Sequence, residues 1–191
     1  MIAVLFSLML TILLALTPNL ALAKESTDSP SAVQVDQTTA QEKAGKTIEI
    51  LTVVNQGEIA AAQVALKRSQ NTQVKEFAEH MIQDHGKNLA TLKKLSTDLH
   101  IMPVASDKSK EMEKKNAKLG HKLMTVSQGE FDKTYMDAMV KGHQKVLNAL
   151  QDKLIPETEN PRLKNALEAT SQVVSHHLEM AKEVQKEVKH S

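Results

Sequence analysis

Residues 73–99, QVKEFAEHMIQDHGKNLATLKKLSTDL, decide the fold of this chain. Apolar side chains recur there at alternating three- and four-residue spacing, which is the pattern of an amphipathic helix. The stripe consists of Val74, Phe77, Met81, His85, Asn88 or Leu89, Leu92 and Leu95. Asn71 and Thr72 precede it and form a break short enough for a tight turn. The stretch therefore predicts the second helix of an antiparallel hairpin.

Three further segments carry the same helical pattern, and they are residues 47–70, 129–154 and 161–188. Pro156 ends the third helix, while Asn160 and Pro161 provide the cap and the first turn of the fourth. The short breaks pair the segments into two hairpins, which predicts an all-α four-helix bundle. Residues 101–128 connect the hairpins, and their charged, weakly amphipathic sequence predicts an extra helix. This helix either runs the length of the bundle or packs across its end.

The composition of the 191-residue chain agrees with this class and excludes several others. Aromatic residues make up only 2%, and Gly and Pro are few, which is unlike a β protein. The 24 basic and 23 acidic residues form no basic block, so the chain has no electrostatic surface for nucleic acid. The absence of Cys excludes disulfides, thiolate metal sites and cysteine nucleophiles.

The first 23 residues have the pattern of a signal peptide. They carry no charged side chain, are nearly all apolar at residues 2–16, and end in the small-residue sequence Ala21-Leu22-Ala23. An uncleaved anchor is the alternative, although residues 17–19 interrupt an apolar run that is short for a membrane span. We therefore predict export to the periplasm or cell envelope, with no membrane span after cleavage.

Residues 24–46 are polar and contain Pro30, which predicts a disordered tether after the signal peptide. Residues 47–191 then form the folded four-helix bundle domain, whose length is near the commonest domain size. The mixed-charge run at residues 110–115 predicts a solvated face that could also dock an envelope protein partner. None of these patterns determines the oligomeric state.

Four polar residues lie on otherwise apolar stripes. They are Glu58 in the first helix, His85 in the second, His143 in the third and His177 in the fourth. Each falls within about two residues of the middle of its helix, so a rise of about 1.5 Å per residue places them in one layer. Three imidazoles and a carboxylate form a suitable set of ligands for one Zn, Fe, Mn or Cu ion. The alternative is a metal-free polar layer that only sets helix register in an envelope interaction or stress module.

Neighbouring residues refine the metal interpretation. Tyr135 lies two turns before His143 on the same face, where its hydroxyl could support a ligand or act as a plain buried donor. Asp84 lies off the stripe and is predicted to be solvated. No core His has a carboxylate three residues before it, which argues against a dinuclear Glu-x-x-His site. A redox or stress role would follow from a bound metal, and no pattern indicates a catalytic residue.

Several of these residues occur in motifs that resemble a known family. The motifs are Glu58 in the first helix; Phe77-Ala78, Met81 and Asp84-His85 in the second; Phe131-Asp132, Tyr135 and His143 in the third; and His177-Leu178 in the fourth. Over nearly all of residues 50–184 the chain resembles the exported family called domain of unknown function 4142. The resemblance implies a signal-bearing, ferritin-like four-helix bundle, often labelled a predicted outer-membrane protein. It also implies that the characteristic polar positions are Glu58, His85, Tyr135, His143 and His177.

Overall fold

The computed structural model describes the backbone of residues 30–190 and the side chains of residues 37–189. Within these bounds the protein is all-α, with five α-helices and no strand, which confirms the predicted class. The helices are α1 Pro30–Arg68, α2 Thr72–Leu99, α3 Asp107–Thr125, α4 Gln128–Ala149 and α5 Pro161–His190. A π-helical turn, Leu150–Leu154, continues α4. None of the helices in this part of the chain combines the length and hydropathy that a membrane span requires.

Helix α1 begins well before the start predicted from the sequence. The predicted signal peptide, residues 1–23, lies outside the described residues, as does the first part of the predicted tether. Residues 30–46 of that tether are helical, so the expectation of disorder is wrong for them. The C-terminal part of this extension is held by a tertiary contact, because the Gly45 carbonyl accepts a hydrogen bond from the Val104 amide at 3.1 Å. Such a contact leaves no periodic signal in the sequence.

The helices on both sides of the predicted turns pack as hairpins, and an asparagine caps the second helix of each. Asn71 Oδ1 accepts hydrogen bonds from the amides of the second and third residues of α2, at 2.9 and 3.2 Å. Asn160 Oδ1 does the same for α5, at 3.0 and 3.1 Å. Each cap satisfies two of the amides that a helix start leaves without partners. Helix α1 packs against α2 and α4 against α5, and α2 packs against α5 to join the hairpins into one helical bundle.

Helix α3 lies along α1 and connects the hairpins from the side. Near the middle of α3, Asn116 Nδ2 donates to the Val53 carbonyl of α1 at 2.9 Å. Near its end, the Arg68 guanidinium donates to the carbonyls of Leu123 and Val126 at 2.6 and 2.8 Å. The connecting segment therefore runs alongside residues 45–68 of α1 and does not pack across one end of the bundle.

Two apolar cores lie one after the other along the bundle. On α2, Phe77 belongs to the first core and Leu92 to the second, and His85 lies between them. The same order holds on α4, where His143 separates the residues of the two cores. The interval between the cores is therefore the place where polar side chains from different helices can meet.

Candidate metal centre

Helices α2, α4 and α5 each bring one histidine to the interval between the two cores. His85, His143 and His177 are 5%, 2% and 0% exposed, so all three imidazoles are removed from solvent. Their ring centroids are separated by 5.9, 5.3 and 5.6 Å. One nitrogen from each ring can be chosen so that the three atoms lie within 4.8 Å of one another. The structure thus brings together three of the four residues predicted to form the layer.

Asn55 on α1 fixes the orientation of His85. Asn55 Nδ2 donates to the Leu51 carbonyl at 2.6 Å, which identifies the other carboxamide atom as the oxygen. His85 Nδ1 lies 2.7 Å from that Oδ1. Because a carboxamide oxygen can only accept, His85 Nδ1 carries the ring proton and Nε2 carries the lone pair. His85 Nε2 is buried and has no hydrogen-bond partner.

The other two histidines are held by acceptors in the same manner. His143 Nδ1 donates to the Met139 carbonyl, one turn earlier on α4, at 2.9 Å. His177 Nε2 donates to Asp84 Oδ2 on α2 at 3.2 Å. The remaining nitrogens, Nε2 of His143 and Nδ1 of His177, are buried without a partner. All three rings therefore commit their N–H to an acceptor and keep an unpaired lone pair.

The surroundings keep His85 and His177 neutral. Burial, together with the positive charges that His143 and His177 would carry, lowers the pKa of His85 to about 3. Burial also lowers the pKa of His177, although the hydrogen bond to Asp84 works in the opposite direction. A buried acceptor without a partner costs about 1–3 kcal/mol. Protonation does not relieve that cost for His85 at neutral pH, and the three histidines could instead hold a metal ion.

The hydrogen bonds around the rings are of the kind that metal-bound histidines make. A histidine ligand usually donates its second N–H to a carboxylate or a backbone carbonyl, which fixes the ring and makes the ligating nitrogen more basic. Asp84 supplies the carboxylate, Met139 the backbone carbonyl and Asn55 an amide oxygen. The site therefore offers three oriented nitrogen donors, a set that suits transition metals.

Glu58, the fourth predicted ligand, is not among the three side chains whose ligand atoms lie within 4.8 Å of one another. Its Oε2 is inaccessible to solvent and has no hydrogen-bond partner. Burial raises the pKa of Glu58, and a positive charge on His143 would oppose that rise. One narrow cleft is lined by Glu58 together with His85 and His143. The carboxylate thus lies beside the histidines, and no hydrogen bond joins it to them.

Tyr135 lies in the apolar core next to the histidines. Its ring meets Phe77 edge-on at 6.2 Å and stacks on Phe131 at 6.4 Å, measured between centroids. Its hydroxyl is buried and has no hydrogen-bond partner, so it supports no histidine through a hydrogen bond. Burial raises the pKa of Tyr135 well above its usual value, and the negative charge of Glu58 adds to the rise.

Two residues that orient the histidines were not predicted from the sequence. Asp84 was expected to be solvated; its side chain is 30% exposed, and its carboxylate also accepts the hydrogen bond from His177. Partial burial raises the pKa of Asp84, but the hydrogen bonds from His177 and Lys87 lower it more, so the pKa lies below its usual value. Asn55 lies on the apolar stripe of α1, and a polar side chain there is a signal that could have identified it. Asp84 gives no such signal, since its partner is on another helix.

Comparison with known proteins identifies a family. The family model described as Domain of unknown function (DUF4142) matches residues 29–184, which is most of the chain. This is the family that the sequence motifs resemble. No curated protein and no solved structure matches the chain significantly.

Proposed function

The chain belongs to the family described as Domain of unknown function (DUF4142), and on that premise we propose that it is an exported metal-binding protein. In this proposal α1, α2, α4 and α5 form a ferritin-like four-helix bundle, and α3 connects its two hairpins. One transition-metal ion is held by His85, His143 and His177, with Glu58 as the fourth ligand. The protein acts in the periplasm or cell envelope, in a stress or redox role that depends on the ion.

The unpaired ring nitrogens are the observation that carries the proposal. Three buried imidazoles could satisfy one another if the N–H of one ring donated to the lone pair of the next. Here each N–H is instead committed to Asn55, Met139 or Asp84, and three lone pairs remain without partners. A single cation among them would satisfy all three at once, which supports a metal ion as the missing component.

The donor atoms narrow the choice of ion. Imidazole nitrogens with one carboxylate oxygen suit Zn, Fe, Mn or Cu, whereas Mg and Ca prefer oxygen ligands. In a tetrahedral site with metal–nitrogen distances of about 2.0–2.1 Å, the ligand nitrogens lie about 3.4 Å apart. In this structure the three nitrogens lie within 4.8 Å of one another, a wider spacing than the tetrahedral site requires. Binding therefore has to draw the rings closer through their side-chain torsions.

Glu58 completes the site in this proposal. An ionised carboxylate at a buried position is costly unless it is paired, and Glu58 Oε2 has no partner. A cation held by the histidines would favour the ionised form and lower the pKa of Glu58. Ligation would therefore give partners to the carboxylate and to His143 Nε2 in one step.

A metal-free envelope interaction or stress module is the competing function. It is supported by two hydrogen bonds between helices, because Asn55 with His85 joins α1 to α2, and Asp84 with His177 joins α2 to α5. These bonds would set helix register without an ion. They leave the three ring nitrogens and Glu58 Oε2 unpaired, and for that reason we favour the metal.

Metal content separates the two functions. Elemental analysis of the mature protein, purified without chelators, should give about one ion per chain. Changing both His85 and His177 to Ala should abolish the content. The matched control changes His80 and His176 to Ala, since both are exposed and lie on the same two helices, and it should keep the ion. A parent protein that takes up no Zn, Fe, Mn or Cu would refute metal binding and leave the metal-free module.

The variant His143→Leu gives an independent test of the same choice. If the layer only sets register, an apolar side chain of similar size should keep or increase the stability. If the layer binds a metal, the variant should lose the ion and the stabilisation that added ion gives to the parent. Urea unfolding of both proteins, with and without Zn, measures this difference.

The proposed export rests on the pattern of residues 1–23 and has its own measurement. The protein recovered from the periplasmic fraction should begin at Lys24, which N-terminal sequencing determines. A chain that retains Met1 and fractionates with membranes would instead support the uncleaved anchor.

A further inference from the structure

We propose that a groove between α2 and α5 is the port through which a metal ion reaches the three histidines. The hydrogen-bonded pair of Asn88 and Thr170 closes this port. The inference rests on the proposed function and adds to it the route and the residues that control exchange of the ion.

Two adjoining spaces define the route. The inner space is the narrow cleft of about 10 Å³ that contains Glu58 and His143 in its lining. The outer space is a groove of about 230 Å³ on the surface between α2 and α5. The residues common to both linings are His85, Asn88, Thr170 and Val174. These four side chains therefore form a wall that separates the groove from the cleft that Glu58 and His143 line.

The wall is closed by weak hydrogen bonds. Thr170 Oγ1 lies 3.3 Å from Asn88 Oδ1 and 2.8 Å from the Ala166 carbonyl, and its single proton can serve only one of them well. Asn88 Nδ2 donates to Asn55 Oδ1 at 3.3 Å, which is also longer than the usual 2.9–3.0 Å. Because the short bond of Thr170 goes to Ala166, the Asn88 side chain can turn aside without breaking a strong contact.

The mouth of the groove carries one acidic and one basic side chain, Asp84 and Lys87. Asp84 lines the groove, its side chain is 30% exposed, and Oδ2 of the same carboxylate accepts the His177 N–H. Lys87 pairs with Asp84 Oδ1 at 3.1 Å and reduces its negative charge at the surface. Along the bundle axis, apolar cores cover the histidines on both sides. An ion that enters through the groove would therefore pass the Asp84 carboxylate.

The port can be tested by plugging the groove. The chain has no Cys, so Ala169→Cys introduces a single thiol for a bulky maleimide. Ala169 is exposed and lines the groove but not the cleft. The matched control is Ala117→Cys, an exposed position beside a different groove, between α1 and α3. Stopped-flow absorbance measures Co²⁺ uptake, and an excess of chelator measures release of bound Zn²⁺.

Labelling of Ala169→Cys should slow uptake and release together by about tenfold or more, because a plug changes both rates and leaves Kd unchanged. Labelling of Ala117→Cys should change neither rate. The variant Thr170→Val should accelerate both rates, since it removes a partner of Asn88. Equal rates in the two labelled proteins, or a change in only one of the two rates with a corresponding change in Kd, would overturn the port. An unlabelled protein that takes up no Co²⁺ would overturn the proposed function itself.

Discussion

Acidification below pH 6.5 should destabilise the metal-free protein because buried His85 resists protonation. The pKa of His85 is about 3 in the folded protein and about 6.5 in an unfolded chain. Between these values the unfolded state binds one more proton than the folded state. The stability contributed by neutral His85 is therefore complete above pH 6.5 and is lost as the pH falls from about 6.5 toward 3.

The size of this effect follows from the shift. One proton of difference gives about 1.4 kcal/mol per pH unit, and because unfolded His85 is only half protonated at pH 6.5, His85 alone removes about 2 kcal/mol between pH 6.5 and pH 4.5. The full shift corresponds to about 5 kcal/mol, which is a large share of the 5–15 kcal/mol that stabilises a typical domain. The pKa of His177 is lowered as well, so this second histidine acts in the same direction.

Urea unfolding of chelator-treated protein, followed by circular dichroism from pH 7.5 to 4.5, measures the slope of the unfolding free energy against pH. The variant His85→Leu should flatten the slope by about 1.4 kcal/mol per pH unit. The variant His80→Ala should leave it unchanged, since His80 is exposed. If parent and His85→Leu lose stability equally between pH 6.5 and 5, the argument that buried His85 stays neutral is wrong.

Three other predictions concern the ion and the side chains around it. Free Zn²⁺ at 100 times its Kd should increase the free energy of unfolding by about 2.7 kcal/mol and raise the Tm in calorimetry by about 5–10 °C. The protein with both His85 and His177 changed to Ala should show no shift in Tm. Asp84→Asn should weaken Zn²⁺ binding by about 10–100-fold in a chelator competition, because the carboxylate that orients His177 is lost; an unchanged affinity would contradict that role. Tyr135→Phe should be neutral or stabilising by up to about 1 kcal/mol in urea unfolding, because it removes a buried hydroxyl without a partner. A loss of more than that would show that the hydroxyl does have a partner.

The helices themselves were largely predictable. The apolar stripe predicted residues 73–99 for the second helix, and α2 spans Thr72–Leu99. The prediction failed for α1, which begins at Pro30, because residues 30–46 carry no stripe. Contacts with distant residues hold the end of that stretch, such as the 3.4 Å ion pair between Lys43 and Glu157. A contact between residues so far apart in the chain cannot be inferred from local periodicity.

The layer of core histidines could be predicted from the sequence alone. Helical rise is constant, so a polar residue near the middle of each helix places His85, His143 and His177 at one height whatever the connections are. The rotation of each helix about its axis depends on how the helices pack. The same packing determines which nitrogen of each histidine ring is free. Rotation sets the Asp84 carboxylate against His177 and leaves Glu58 outside the closest group of ligand atoms. The physical reason is that periodicity is a property of one helix, whereas hydrogen-bond partners and burial depend on how several helices pack.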